Sequence, residues 1–116
     1  MKLKLKNEKD KKILKEIKRV IMNVAKEMNI EIDKVILFGS RARGDYREDS
    51  DWDILVVTKK KIEKERLNRF YIRIKKRLSA FLWDLDLIIV SKKEHNVNSK
   101  IEIYVNYTAE KQGVIL

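Results

Sequence analysis

The sequence predicts a mixed α/β fold, equally describable as α+β: a small mixed β-sheet with helices packed on it. Three observations carry this expectation. Long stretches with apolar residues at helical spacing alternate with short, β-branched runs. One helical stretch of about 20 residues lies between two such runs, the length and order of a right-handed parallel crossover. No Pro/Gly/Ser-rich linker, low-complexity tract or internal repeat interrupts the 116 residues, so one domain over 1–116 is expected.

The elements follow in order. Asn7 is placed to cap a first helix, with Asp10 three residues on. Ile13, Leu14, Ile17, Val20, Ile21, Val24 and Met28 then recur on one face, predicting a helix over 8–28. Lys34 to Phe38 is a short run ending at Gly39 and reads as a first strand. Residues 39–50 form a polar connection holding Gly39 and Gly44. Asp51 to Thr58 reads as a second strand. Ile62, Leu67, Phe70, Tyr71, Ile74, Leu78 and Phe81 mark a second long helix whose outer side aligns Arg66, Arg69, Arg73 and Arg77. Asp86 to Val90 is a third strand, and Ser91 with Glu94 fits a capping box just after it. A last helix carries Ile101, Tyr104, Val105 and Ala109 and stops at Gly113, with Val114–Leu116 as an edge strand.

Composition narrows the chemistry. There is no cysteine, which excludes disulfides, zinc–thiolate sites and thiol nucleophiles. His95 alone rules out a multi-histidine metal site and counts strongly against a Ser-His-Asp triad. No apolar run approaches the ~18 residues that span a bilayer. The basic start, Met1 to Lys6, lacks the apolar region of a signal peptide, so a cytoplasmic protein without a membrane partner is expected. The remaining chemistry is that of carboxylates, hydroxyls, Lys/Arg and bound ions. The net charge of +10 suits nucleotides, nucleic acid or an acidic partner, and equally a Lys/Glu-rich surface of the kind found in heat-adapted proteins.

Topology gathers the polar residues. The loop 39–50 makes the first two strands antiparallel neighbours, so Gly39-Ser40 ends beside Asp51. Parallel second and third strands start at one sheet edge, which brings Asp86 near Asp51 and Asp53. Asp51 and Asp53, two apart on a strand, point to the same face. Two carboxylates that close repel each other, and a divalent ion such as Mg²⁺ relieves the repulsion while leaving positions for water and phosphate. A third acid would allow a two-ion site. Gly39 lets backbone approach an anion, the Ser40 hydroxyl can donate to phosphate, and Arg41, Arg43 and Arg47 add positive charge. Each feature alone has an ordinary explanation: a solvated Asp-x-Asp turn, a glycine ending a strand, surface pairs of arginines with Asp45, Glu48 and Asp49, and Asp84 and Asp86 as the polar entry to a strand. Four such features at one edge strain that explanation.

Leu37-Phe-Gly-Ser-Arg-Ala-Arg-Gly44 followed by Ser50-Asp-Trp-Asp-Ile-Leu55 resembles the signature of the minimal nucleotidyltransferases of the DNA polymerase beta superfamily: Gly-Ser, ten residues, then Asp-x-Asp. Asp86-Leu-Ile-Ile-Val90 looks like the strand carrying that family's third carboxylate, and Glu110–Leu116 resembles its usual terminus. The resemblance implies a polymerase-beta-like nucleotidyltransferase fold and transfer of a nucleotide, AMP from ATP, to a hydroxyl acceptor with loss of pyrophosphate. By carry-over, Asp51 and Asp53 hold two Mg²⁺ ions and Asp86 completes the metal site, with Asp84 in reserve. Gly39 and Ser40 hold the triphosphate, with Arg41 or Arg43 assisting. Family members of this size commonly serve as antitoxins to a HEPN ribonuclease, so a HEPN-domain toxin is the partner the resemblance implies. Two other readings stay open. One is a non-catalytic binding antitoxin with a vestigial nucleotide site. The other is a basic nucleic-acid-binding module built on Lys59–Lys61 and the arginine stripe. A homo- or hetero-oligomer fits any of these.

Overall fold

A computed structural model describes residues 3–80, 84–101 and 105–116. Helix α1 spans Glu8–Glu27. The Asn7 side chain caps it by accepting from the Asp10 N–H at 2.9 Å, which satisfies one of the orphan donors of the first turn. Its apolar stripe, Leu14, Ile17, Val20, Ile21 and Val24, is buried. Asn29, at φ 56°, reverses the chain, and Ile30 N–H closes back on the Ala25 carbonyl at 2.8 Å.

Strand β1 spans Ile32–Phe38, starting two residues before the apolar run because Ile32 still pairs with Thr58. A one-turn helix α2, Ser40–Arg43, follows directly. Strand β2 is Trp52–Thr58, helix α3 Lys64–Leu78 and strand β3 Leu85–Ser91. Helix α4 is Lys92–Asn98, α5 Val105–Gln112 and β4 Val114–Ile115. The sheet order is β3-β2-β1-β4. β1 runs antiparallel to β2 and β4, and β2 runs parallel to β3 across the α3 crossover. The expected mixed sheet, parallel crossover and edge strand are all present.

Strand alternation divides the sheet into two faces. Trp52, Ile54, Val56, Leu85 and Leu87 pack with the α1 stripe and with Phe70, Ile74 and Leu78 of α3. Ile36, Phe38, Leu55 and Val57 pack with Ala109 of α5 on the other. Gly113 is required where α5 meets β1: an added Cβ would stand 2.2 Å from the Ala109 carbonyl oxygen and 2.3 Å from Ile36 Cγ2.

Three expectations need correction. The last helix is two helices. The Ser91 hydroxyl accepts from Glu94 N–H at 3.2 Å and donates to its carboxylate at 3.0 Å, so α4 begins directly after β3. That helix closes at Ser99, which leaves exposed Ile101 outside any helix. Tyr104, like Phe81 and Trp83, lies outside the described residues. The second long helix is shorter than its apolar pattern suggests, starting at Lys64 and ending at Leu78. The arginine stripe, finally, is largely engaged within the fold. Arg66 donates to the Met28 and Asn29 carbonyls, and Arg73 and Arg77 pair with Glu27. These contacts fasten α3 to the C-terminal end of α1, where cations are favoured by the exposed carbonyls. No described helix is long and apolar enough to cross a membrane.

Candidate active site at the edge of the sheet

The parallel register sets the site. Trp52 pairs with Leu85 and Asp53 with Asp86, so two carboxylates face each other across adjacent strands on the face opposite α1 and α3. Asp51 precedes β2 by one residue and is exposed, as is Asp86, while Asp53 is half-buried. Phe38, the last residue of β1, pairs with Asp53 from the other side, which brings Gly39 to the same carboxylate.

Gly39 is dictated by that contact. Its φ and ψ of 73° and −159° lie in a region that residues with a Cβ avoid, and an added Cβ would stand 2.1 Å from Asp53 Oδ2. The Gly39 carbonyl accepts from Ala42 and Arg43 N–H, both at 3.1 Å, which starts α2. Gly44, at φ 91°, ends that turn in the left-handed conformation with its N–H on the Ser40 carbonyl at 2.9 Å. The Gly39–Ser40 turn is thus held beside the Asp53 carboxylate.

The electrostatics show how tight the arrangement is. Burial raises the Asp53 carboxyl to about 6, and the neighbouring Asp86 and Asp51 charges push the same way, with Arg43 opposing them. Asp53 and Asp86 are direct partners in the parallel register, so their charges act on each other across one strand spacing. Mutual repulsion of this kind is what a cation relieves. The donors are all carboxylate oxygens, which fits a hard divalent ion such as Mg²⁺. Among the described residues no three acidic or His side chains already close into a cage. An open half-site of this kind matches an ion that retains waters and takes phosphate oxygens.

The other candidates separate. Arg43 is half-exposed, 3.4 Å from Asp45, and close enough to Asp53 to influence its charge. Arg41, expected at the phosphates, is elsewhere: it is 2% exposed, and its guanidinium donates to the Glu48 and Ser50 carbonyls. It also lies 4.7 Å over the Tyr46 ring and 4.2 Å over the Trp52 ring. Those contacts engage Nε and Nη2 and leave Nη1 buried without a hydrogen-bond partner among the described residues, so the guanidinium is not presented to a phosphate at the surface. Asp84, the reserve ligand, precedes β3. It lines a cleft of about 470 Å³ with Arg41, Tyr46 and Trp52, on the α1 side.

Two residues that the sequence did not single out for this region are Asp10 and Tyr46. The Tyr46 hydroxyl donates to Asp10 Oδ2 at 3.0 Å, and burial raises its phenol further above neutrality. The signal available for Tyr46 was an aromatic ring in an otherwise polar loop. Nothing distinguished Asp10 from an ordinary first-turn helix acid.

The chain is 51% identical over 47 residues to the Methanocaldococcus jannaschii protein "Putative protein adenylyltransferase MJ0141", covering 40% of this chain and 44% of that one. It is 51% identical over 43 residues to "Putative protein adenylyltransferase MJ0604" of the same organism, covering 37% and 43%. These matches span less than half the length of the curated relatives. A Sulfolobus solfataricus "putative nucleotidyltransferase" structure superimposes with a TM-score of 0.56 at 29% identity, covering 90% of this chain and 78% of that one. A tri-AMPylated Shewanella oneidensis HEPN toxin in complex with MNT antitoxin matches with a TM-score of 0.52 at 14% identity, covering 87% and 69%, a likeness of fold. The model of the family described as polymerase beta, nucleotidyltransferase, matches residues 15–106. With most of its length so matched, and Gly39-Ser40 set against Asp53 and Asp86, the chain belongs to the polymerase beta nucleotidyltransferase family.

Proposed function

We propose that residues 1–116 form one minimal nucleotidyltransferase domain that moves AMP from ATP to a hydroxyl on another protein. The observation that carries this is the Asp53–Asp86 pairing with Gly39 packed directly against Asp53. Gly39, Ser40 and the α2 amides bind and orient the triphosphate, and half-exposed Arg43 supports its charge. Asp51 and Asp53, with Asp86, would hold Mg²⁺, two ions in the full site, which when bound neutralises charge developing on the phosphates. The acceptor oxygen attacks the α-phosphorus, pyrophosphate leaves, and exposed Asp86 takes the acceptor's proton.

The acceptor is a HEPN-domain toxin in this reading, and the chain acts as its antitoxin in the cytoplasm. Proteins sharing the fold include a toxin–antitoxin complex with AMP-PNP and the tri-AMPylated HEPN toxin with its MNT antitoxin. The Methanocaldococcus relatives carry names of protein adenylyltransferases. The nucleic-acid reading loses support, because Arg66, Arg73 and Arg77 are engaged with α1.

The test is incubation of the chain with labelled ATP, Mg²⁺ and a candidate HEPN partner. Transfer of label to the partner is expected, with loss of transfer in the Asp51→Ala/Asp53→Ala double variant. Equal labelling by that variant sinks the assignment. Neutralisation of the toxin that survives the double variant, without labelling, would establish the non-catalytic binding antitoxin instead.

A further inference from the structure

The span matched by the family begins at residue 15, yet residues before it grip the loop between the two halves of the site. Leu5 is buried in the same apolar core as Tyr46. The Lys6 N–H donates to the Tyr46 hydroxyl, and Lys6 Nζ donates to the Tyr46 carbonyl at 3.1 Å. The same hydroxyl donates to Asp10 Oδ2, while Asp10 Oδ1 lies 3.6 Å from Arg41 Nη1. Tyr46 is therefore held from both sides by the segment that opens α1.

Arg41 joins this segment to the chemistry. It follows Ser40 directly in sequence. Its guanidinium donates at 3.0–3.1 Å to the Ser50 carbonyl, immediately before Asp51. It also lies against the rings of Tyr46 and of Trp52, the residue between Asp51 and Asp53. One buried fork thus spans the loop from its phosphate end to its carboxylate end. A lysine could supply the charge but neither the fork nor the planar stack.

We propose that Arg41 is a positioning residue, steadied by Tyr46 and Asp10, that fixes the Gly39–Ser40 turn against the carboxylates at Asp51 and Asp53. The proposal rests on the nucleotidyl-transfer reading of the same site. It concerns coupling: triphosphate and metal ion reinforce each other's binding only while their two half-sites keep a fixed spacing. Arg41 touches neither ligand, so its loss acts on that reinforcement.

The experiment measures ATP binding by calorimetry with and without Mg²⁺ for the full chain and for Arg41→Lys and Tyr46→Phe. Thermal unfolding of each, without ligand, reports that it is folded. In the unsubstituted chain Mg²⁺ is expected to tighten ATP binding. In Arg41→Lys that enhancement should fall about tenfold, with ATP affinity in chelator little changed. Tyr46→Phe, which loses only the hydroxyl bridge, should show a smaller fall in the same direction. An enhancement of ordinary size in folded Arg41→Lys overturns the inference, as does an equal loss of affinity with and without Mg²⁺. Should Arg41→Lys fail to fold, Tyr46→Phe decides, and an undiminished enhancement there overturns it. Absence of Mg²⁺-enhanced ATP binding in the unsubstituted chain sinks the nucleotidyl-transfer reading, and this inference with it. An enhancement of undiminished size there and in both variants sinks the inference alone.

Discussion

Replacing Asp53 with Asn should stabilise the metal-free protein while abolishing its activity. The Asp53 carboxyl is raised from 3.8 to about 6, first by burial and then by the charges of Asp86 and Asp51. Between those values the folded chain retains a proton that the unfolded chain releases, so stability falls as pH rises from about 4 to about 6 and is flat above. A shift of roughly two pK units corresponds to at most about 3 kcal/mol, since each unit is worth about 1.4. Asp53 is half-exposed, and solvent screening reduces this to about 1–2 kcal/mol. Asn keeps the shape that fills the gap at Gly39 and removes the charge.

Thermal unfolding in chelator at pH 7.5 should therefore show Asp53→Asn melting higher, by roughly 3–10 °C for a chain of this size. At pH 4 the gain should vanish, because the carboxyl is then largely protonated in the folded state. Adding Mg²⁺ and ATP should reverse the order, since only the unsubstituted chain gains from binding. An equal gain at both pH values would refute the electrostatic argument, as would a loss at pH 7.5. It would place the effect in packing around Gly39 rather than in repulsion among the carboxylates.

Two further outcomes follow from single contacts. Gly39→Ala should lose about 1–3 kcal/mol in chemical denaturation, because its backbone conformation excludes a Cβ and Asp53 must move, and ATP with Mg²⁺ should no longer raise its melting temperature. Buried His95 bonds Glu110 through Nε2 at 2.8 Å and Asn106 through Nδ1 at 2.9 Å, and the first bond, with Lys34 nearby, holds the Glu110 carboxyl below its usual value of 4.5. That stabilisation is present above pH 4.5 and is lost as pH falls through the lowered value, so acid titration of Glu110→Gln should lack this part of the unfolding curve.

What was legible in the sequence is what periodicity and chain connectivity control. The α3 crossover forces β2 and β3 parallel, and parallel strands starting at one edge bring Asp86 to Asp53 whatever the side chains between them. Gly39 was legible for a related reason, since a glycine ending a strand before a polar loop marks close approach. Arg41 was not legible in this way. Its sequence neighbours suggest phosphate, but its position depends on two carbonyls and two rings that only the folded loop brings together. The arginine stripe on α3 fails similarly: helical spacing aligns Arg73 with Arg77, whereas their partner Glu27 comes from a distant helix. The Ser91 cap, and with it the start of α4, was legible, whereas the division of α4 from α5 was not, because the closure at Ser99, whose N–H bonds the His95 carbonyl, leaves the apolar pattern uninterrupted.

The site concentrates features that a fold optimised for stability alone would discard. Asp53 sits partly buried against two other acids, and Gly39 takes a conformation that costs the unfolded chain extra entropy to reach. An asparagine at 53 would remove the repulsion at no cost in shape. The features agree once phosphate and a divalent ion are added: the carboxylates gain a counter-charge, and the glycine turn presents amides to an anion. The surrounding loop is bonded in place, with the Arg41 guanidinium against the Tyr46 and Trp52 rings and Tyr46 bonded to Asp10 of α1. A loop free to relax would let the carboxylates drift apart and lower their repulsion without any ligand. Holding them together while they are unneutralised keeps the affinity for the ion high, so the bonding that fixes the loop and the repulsion at the acidic edge are two parts of one device.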